Sequence, residues 1–301
     1  MNYRITVTGG AGFIGGHLVK ELTRRGYEVF SFDLKNDPRQ DITNYEAIRK
    51  HIEAWRPEVV FHLAANSRVD LSFKDPVMDF NVNALGTLNL LRALKGHPAK
   101  LIFTSTAHVY GEPQYLPIDE EHPICPKSPY AISKYAAERY CLTYGRRMGI
   151  QVVVIRLFNT YGPGQSLGFV IPDLIYKLMK DPSKLLVRGT GNEVRDFIYV
   201  SDVVKALIKA MDHGENGECY NVGSGTGVSI SKLVSLLVNI MGLHACEVVF
   251  EGRGTHGKPT AIIANISKIR AVFKWNPAVA LDKGLKLTIS DLQNRIGASF
   301  K

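Results

Sequence analysis

The eight residues Thr8-Gly9-Gly10-Ala11-Gly12-Phe13-Ile14-Gly15 constrain the fold of this chain more than any other stretch. They stand between a short β-rich run, Arg4–Thr8, and a helical pattern over Phe13–Arg25. A GxGxxG match alone is weak, because glycines are common in loops. Here Gly10, Gly12 and Gly15 satisfy it between a strand and a helix, the context in which each glycine has a physical task. Gly9 and Gly12 can take the tight turn and let backbone approach a pyrophosphate, and Gly15 lets the helix pack closely on the strand. The helix start at Phe13 and Ile14 offers free N–H groups and a positive dipole end.

The first half of the chain continues this alternation. Strand-like runs at Glu28–Phe32, Val59–Leu63, Lys100–Ser105 and Gln151–Leu157 are separated by helical patterns at Asn44–Trp55, Pro76–Leu94 and Pro129–Met148. The strands are nearly all apolar, which implies a parallel sheet covered on both faces. After Asn159 the texture changes to Gly/Pro-rich loops separating shorter elements, with helices expected at Val170–Met179, Ser201–Met211, Ser229–Met241 and Leu281–Arg295. The expected architecture is α/β: a Rossmann-type doubly wound parallel sheet with a smaller C-terminal α/β substrate domain. Residues 1–160 form the first, with 197–213 returning to it; 161–196 and 214–301 form the second.

Asp33 ends the second strand, 18 residues after Gly15, close to the roughly 20-residue spacing of the carboxylate that binds an adenosine ribose. It would accept hydrogen bonds from the ribose hydroxyls and repel a 2′-phosphate, so NAD is favoured over NADP. Lys35 and Arg39 lie nearby and are able to pair with a phosphate.

Composition sets outer bounds. Of 301 residues, 45% are hydrophobic and 22% charged, the balance of an ordinary globular protein. No apolar run approaches the roughly 18–20 residues of a membrane span, and the first ten residues read as a strand rather than a secretory signal. The four cysteines, Cys125, Cys141, Cys219 and Cys246, form no CxxC pair, which fits a reducing cytoplasm without a disulfide framework or metal site. The 37 basic residues exceed the 28 acidic ones, giving +9, but they are spread along the chain. That distribution fits a solvated surface, or a cleft attracting anionic substrates, better than nucleic-acid binding.

Tyr130-Ala131-Ile132-Ser133-Lys134 places a phenol and an ammonium one helical turn apart. A cation beside the phenol favours phenolate, and such a tyrosine can take a proton from a sugar hydroxyl while hydride leaves the same carbon. The spacing recurs at Tyr176/Lys180, so context must separate the two. Tyr130 follows a strand ending Thr104-Ser105-Thr106, whose hydroxyls emerge at the C-terminal sheet edge, where ligands bind. Tyr176/Lys180 has no such partner and is read as a surface or packing pair.

Together these stretches resemble the extended short-chain dehydrogenase/reductase family, in particular its nucleotide-sugar epimerase/dehydratase branch. The likeness is an ordered series: TGGAGFIG, Asp33, Asp41-Ile42, HLAA (His62–Ala65), NALGTLNLL, FTSTAHVYG, SPYAISKYAAE, RLFNTYGPGQ, RDFIYVSDV and YNVGSG. It implies that Thr106 hydrogen-bonds the reacting sugar oxygen, Tyr130 is the acid/base, and Lys134 holds the nicotinamide ribose. It further implies that Asp41 and Ile42 flank the adenine, while Leu63, Ala64, Ala65 and Asn83 line the cofactor groove. Asn159 and Arg195 would bind the substrate diphosphate. The last substrate loop departs from the family pattern: Thr255 precedes Gly257-Lys258, leaving Arg253 or Lys258 as the second phosphate clamp. The resemblance also implies a homodimer through the helices 76–94 and 129–148.

Three chemistries share this scaffold. A dehydratase needs an acidic pair after the catalytic Thr, where this chain has Ala107 and His108, and UDP-glucuronate decarboxylation also lacks its acidic residue. An epimerase of UDP-hexose type, redox-neutral with retained NAD, is expected first. The alternative is an NAD(P)H-dependent 4-keto-6-deoxy reductase of a GDP-linked sugar, whose family the stretch Phe158–Ile175 also resembles. A catalytically silent NAD-binding protein is the third reading; the presence of Thr106, Tyr130 and Lys134 together argues against it.

Overall fold

The computed structural model describes residues 3–252 and 260–299. Its strands are β1 (Arg4–Thr8), β2 (Glu28–Phe32), β3 (Val59–His62), β4 (Lys100–Thr106), β5 (Gln151–Leu157), β6 (Asn159–Tyr161), β7 (Lys184–Val187), β8 (Val194–Tyr199), β9 (Cys219–Val222), β10 (Gly227–Ser229), β11 (Glu247–Phe250) and β12 (Ala261–Ile262). Its helices are α1 (Phe13–Arg24), α2 (Tyr45–Trp55), α3 (Val69–Lys74), α4 (Pro76–Phe80), α5 (Gly86–Ala93), α6 (Pro129–Tyr140), α7 (Val170–Lys180), α8 (Val200–His213), α9 (Ile230–Met241), α10 (Ser267–Phe273) and α11 (Leu281–Ser299).

The main sheet runs β2-β1-β3-β4-β5-β9, parallel throughout. β3, β4 and β5 are buried along almost their whole length, which is why they read as continuous apolar runs rather than alternating ones. One face is covered by α1, α8 and α10 over a core including Ile5, Val7, Leu18 and Leu207. The other is covered by α2, α5 and α6 over Ile48, Leu90, Phe103 and Ala137. A second apolar cluster ties α7, α9 and α11 to β7 and β8. β8 is the centre of a small sheet, pairing with β10, β12 and β6.

Two sequence expectations need correction. The stretch 197–213 returns only in part: α8 packs on the main sheet, whereas Phe197–Tyr199 belong to β8 of the small one. The sixth strand of the main sheet is instead β9, from the range assigned to the smaller unit. A four-residue strand between loops carries too little periodicity to reveal its partner; only β5, already in place, supplies the edge it completes. The expected helices 76–94 and 129–148 are each interrupted by a π-helical turn, at Asn81–Leu85 and Cys141–Gly145.

Candidate active site

β1 and β3 leave the sheet in opposite topological directions, since β2 lies to one side of β1 and β3 to the other. A crevice opens where strand order reverses, at the C-terminal ends of the strands. The glycine loop fills its rim. Gly9 has φ +72°, and a Cβ there would sit 2.6 Å from the Ala64 backbone nitrogen. A Cβ on Gly15 would collide with the Gly9 carbonyl, so both positions are closed to any side chain. Gly12 caps α1 without a side-chain hydrogen bond, and the first turn holds no acidic residue. No side chain of α1 itself therefore caps or neutralises the dipole end at Phe13 and Ile14.

Asp33, at the end of β2, reaches back to this loop. Its Oδ2 accepts from the Ala11 N–H at 3.0 Å and its Oδ1 from the Lys35 N–H at 2.8 Å. Arg39 is committed elsewhere, in a bidentate pair with Asp37 whose shortest contact is 2.7 Å. Asp41 accepts from the Thr43 N–H and hydroxyl, both at 2.8 Å, and fixes the turn that buries Ile42 against Gly86. Leu63, Ala64 and Ala65, half-buried on the segment leaving β3, continue the groove wall.

A buried polar chain joins the two sides of the crevice. The Thr87 hydroxyl donates to the Asn83 carbonyl at 2.6 Å, so it accepts from His62 Nε2–H at 2.9 Å. His62 Nδ1 then accepts from the Thr8 hydroxyl at 2.6 Å, which in turn accepts from the Ala64 N–H. Burial pushes the His62 imidazole down to about 3, so it is a neutral connector.

The candidate reacting side chains stand on β4 and α6. Ser128 caps α6 by accepting from the Ala131 N–H, and Pro129 occupies the first helical position. This fixes Tyr130 in the first turn, buried and hydrogen-bonded to the Thr106 side chain at the end of β4. Lys134, one turn on and 3% exposed, holds its Nζ 4.3 Å from the centre of the Phe103 ring. Burial is the dominant influence on both. It raises the Tyr130 phenol to about 12, against the lowering effect of Thr106, and brings Lys134 down to about 8. Removal from water is thus the main control on the phenol of the protein alone. Ser105 Oγ, on the Phe103 face of β4, is buried without a hydrogen-bond partner. His108 packs edge-on against Tyr130, ring centres 6.0 Å apart.

Farther out, Asn159 begins β6 half-buried. Arg195 lies on β8, its Nη1 donating to the carbonyls of Val194 at 2.8 Å and Thr260 at 3.3 Å. Glu193 and Glu112, the nearest anions, are occupied by Thr190 and Gly191 and by Thr260 respectively. Burial draws the guanidinium below its ordinary value, the condition of a cation fitted to an incoming anion. Arg253 and Lys258 lie outside the described residues. Tyr176 packs on the second apolar cluster and Lys180 is exposed, as a packing pair would be.

Among the described residues, no group of three His, Cys, Asp or Glu is placed to hold a metal. Asp79, Ser133 and the Glu138–Arg156 pair, all packed around the reacting residues, were not singled out in the sequence. A lone carboxylate four residues before Asn83 was the available signal for the first.

Comparison with known proteins agrees with this geometry. The profile of the NAD dependent epimerase/dehydratase family matches residues 5–223, and the chain belongs to that family. A Methanocaldococcus jannaschii protein with the provisional name UDP-glucose 4-epimerase is 36% identical, over 96% of this chain and 98% of its own. GDP-6-deoxy-D-mannose reductase of Pseudomonas aeruginosa is 33% identical, over 98% and 99%. The crystal structure of Thermotoga maritima UDP-glucose 4-epimerase with UDP-glucose superposes with a TM-score of 0.88 at 34% identity, covering 97% of this chain and 99% of that one. The fold is that of these nucleotide-sugar enzymes; relatives of comparable similarity carry out different reactions.

Proposed function

We propose that this chain is an NAD-dependent nucleotide-sugar 4-epimerase acting on a UDP-linked hexose. The crevice fits the cofactor: a glycine cradle with no room for a Cβ, an uncapped helix N-terminus for the pyrophosphate, and Asp33 for the ribose. NAD, when bound, supplies the hydride acceptor and donor for C4 of the sugar. Tyr130 takes the proton from the C4 hydroxyl and later returns it, Thr106 orients that oxygen, and Lys134 holds the nicotinamide ribose. Asn159 and Arg195 grip the diphosphate, with Arg253 as a candidate second clamp.

The observation that carries the epimerase over the reductase is the charge at the end of β2. Asp33 is turned onto the glycine loop, and Arg39 is engaged by Asp37, which leaves the exposed Lys35 ammonium as the neighbouring cation. A 2′-phosphate would meet the Asp33 anion against a single surface ammonium, a balance that favours NAD and a redox-neutral cycle. The reductase reading draws on the similarity to the Pseudomonas enzyme over its full length.

Incubation with UDP-glucose, UDP-N-acetylglucosamine, UDP-glucuronate and GDP-mannose without added cofactor, followed by NMR of the anomeric protons, separates the two. A 4-epimer is the expected product. Silence on all four, with NADH or NADPH oxidised when a 4-keto-6-deoxy sugar nucleotide is supplied, would establish the reductase instead. Tyr130→Phe should cut turnover roughly a hundred- to ten-thousand-fold while leaving NAD affinity in place; near wild-type activity would dismiss the assignment of Tyr130.

The same reading includes a homodimer. Phe73, Val77 and Phe80 on α3 and α4 share a surface with Ile132 and Tyr140 on α6, and these five side chains are between 43% and 68% exposed. A second copy of the chain is the partner that would cover them.

A further inference from the structure

Asp196, the neighbour of Arg195 on β8, is wholly buried. Its Oδ1 accepts from the Ser224 N–H and hydroxyl, both at 2.6 Å. Its Oδ2 accepts from the N–H groups of Gly225 at 2.9 Å and Ala264 at 3.1 Å. These donors are all neutral, and a carboxyl group that only accepts has the bonding pattern of the anion. The seat is close-fitting: a Cβ on Gly223 would lie 2.7 Å from Asp196 Oδ2 and 2.6 Å from Ala264 Cβ. The carboxylate therefore gathers three segments distant in sequence: β8, the loop leaving β9 of the main sheet, and the segment leaving β12.

Both strands that flank Arg195 are held this way. β12 has only two residues, paired with Val194 and Arg195 of β8. Just before it, the Thr260 carbonyl accepts from the Val194 N–H at 2.9 Å and from Arg195 Nη1 at 3.3 Å. Just after it, the Ala264 N–H is bound by Asp196. So short a ladder fixes little by itself, and the carbonyl that steadies the guanidinium is only as well placed as the far end of β12. Ile118 also bonds this segment, donating to the Ile263 carbonyl and accepting from the Asn265 N–H, both at 2.7 Å. That contact keeps the segment attached without Asp196, but it does not join it to β8. On the other side, β10 pairs Gly227 with Asp196 and Val228 with Arg195, and the chain enters it from the Ser224–Gly225 loop.

We propose that Asp196 is a positioning residue for Arg195: by anchoring the loop that enters β10 and the segment that leaves β12, its carboxylate fixes the guanidinium for the diphosphate of the nucleotide sugar. This rests on the assignment of Arg195 to the diphosphate, and it holds for a UDP- or a GDP-linked sugar.

The test is calorimetric binding of UDP, with GDP in parallel, to the full-length protein, and of NAD to the same preparations. Arg195→Met should weaken the tighter-bound nucleotide about tenfold or more, the loss of a charge-assisted contact. Asp196→Asn should weaken it about five- to tenfold and leave NAD affinity in place. Adding Asp196→Asn to Arg195→Met should cost no more than about a further twofold, because the carboxylate acts through the guanidinium. Unchanged nucleotide affinity in Asp196→Asn, a full second loss in the double variant, or an equal loss of NAD would overturn the proposal. The last two are what a merely structural carboxylate would give. Ser224→Ala, which removes a donor and keeps the charge, is the second variant should Asp196→Asn not fold. It should weaken the nucleotide about threefold, with the same coupling to Arg195→Met, and the same outcomes overturn the proposal. Nucleotide affinity unmoved by Arg195→Met, or no binding of either nucleotide by the wild type, would instead withdraw the diphosphate assignment of Arg195, and this inference with it.

Discussion

Lys134 is held where its charge is expensive. Its ordinary value of 10.5 is brought down to about 8 by burial. Below pH 8 the folded and unfolded chains both carry the proton, and the cost of burying it, about 3 kcal/mol, is felt in full. Between about 8 and 10.5 the folded protein has released the proton while the unfolded chain keeps it, so stability rises with pH across that window. Lys134→Met, similar in length and uncharged, should therefore raise the thermal midpoint of the cofactor-free protein near about pH 7, with the gain shrinking toward about pH 10. A variant less stable than wild type at neutral pH would contradict this. Such a gain is what the proposed role of Lys134 implies: function would retain a group that stability alone would remove.

At the scale of elements, α6 has to be fixed against both the sheet and α4 for Tyr130 to meet Thr106. Glu138, two turns beyond Tyr130, pairs with Arg156 of β5, and both are less than a tenth exposed. Arg156 Nη1 donates further to the Tyr110 hydroxyl at 2.9 Å and the Glu120 carbonyl at 3.2 Å. Tyr110 passes its own proton to Asn221 of β9 at 2.7 Å. The network thus pins α6 to the last two strands of the sheet. Arg156→Met leaves Glu138 buried without its cation and should cost about 3–5 kcal/mol. Arg156→Met with Glu138→Leu should recover most of it, because no charge is then stranded. Denaturant unfolding of the two variants decides this, and a double variant no better than the single would show that the pair acts mainly through shape. The π-helical turns belong to the same scale: Asn81–Leu85 packs on α6, and Cys141–Gly145 packs on α5. Each inserts a residue into a turn, a local feature that recurs at functional sites.

For the whole molecule the proposal to test is the dimer. The apolar side chains Phe73, Val77 and Phe80 of α3 and α4 and Ile132 and Tyr140 of α6 are exposed in the single chain, and the proposed second copy would cover them. Sedimentation at micromolar concentration should give a species of twice 33.4 kDa. Val77→Asp combined with Phe80→Asp should yield monomers, since two carboxylates would be buried at the centre of the contact. A wild-type monomer at that concentration would remove the dimer.

The sequence by itself determined the features that depend on neighbours along the chain. β2 and β5 have the bounds their composition predicts, β1 runs over Arg4–Thr8, and the glycine loop lies between β1 and α1. Periodicity, helix capping and the absence of a Cβ are short-range properties, legible within a dozen residues. Asp33 was legible for the same reason, since a strand end fixes its distance from the loop. Only the tertiary structure decided that β9 would complete the sheet, that Glu138 would be paired with Arg156, and that Asp79 would be buried against Ser133. Those outcomes depend on which charges are compensated and which edges are open once distant segments have packed, and no local pattern carries that information.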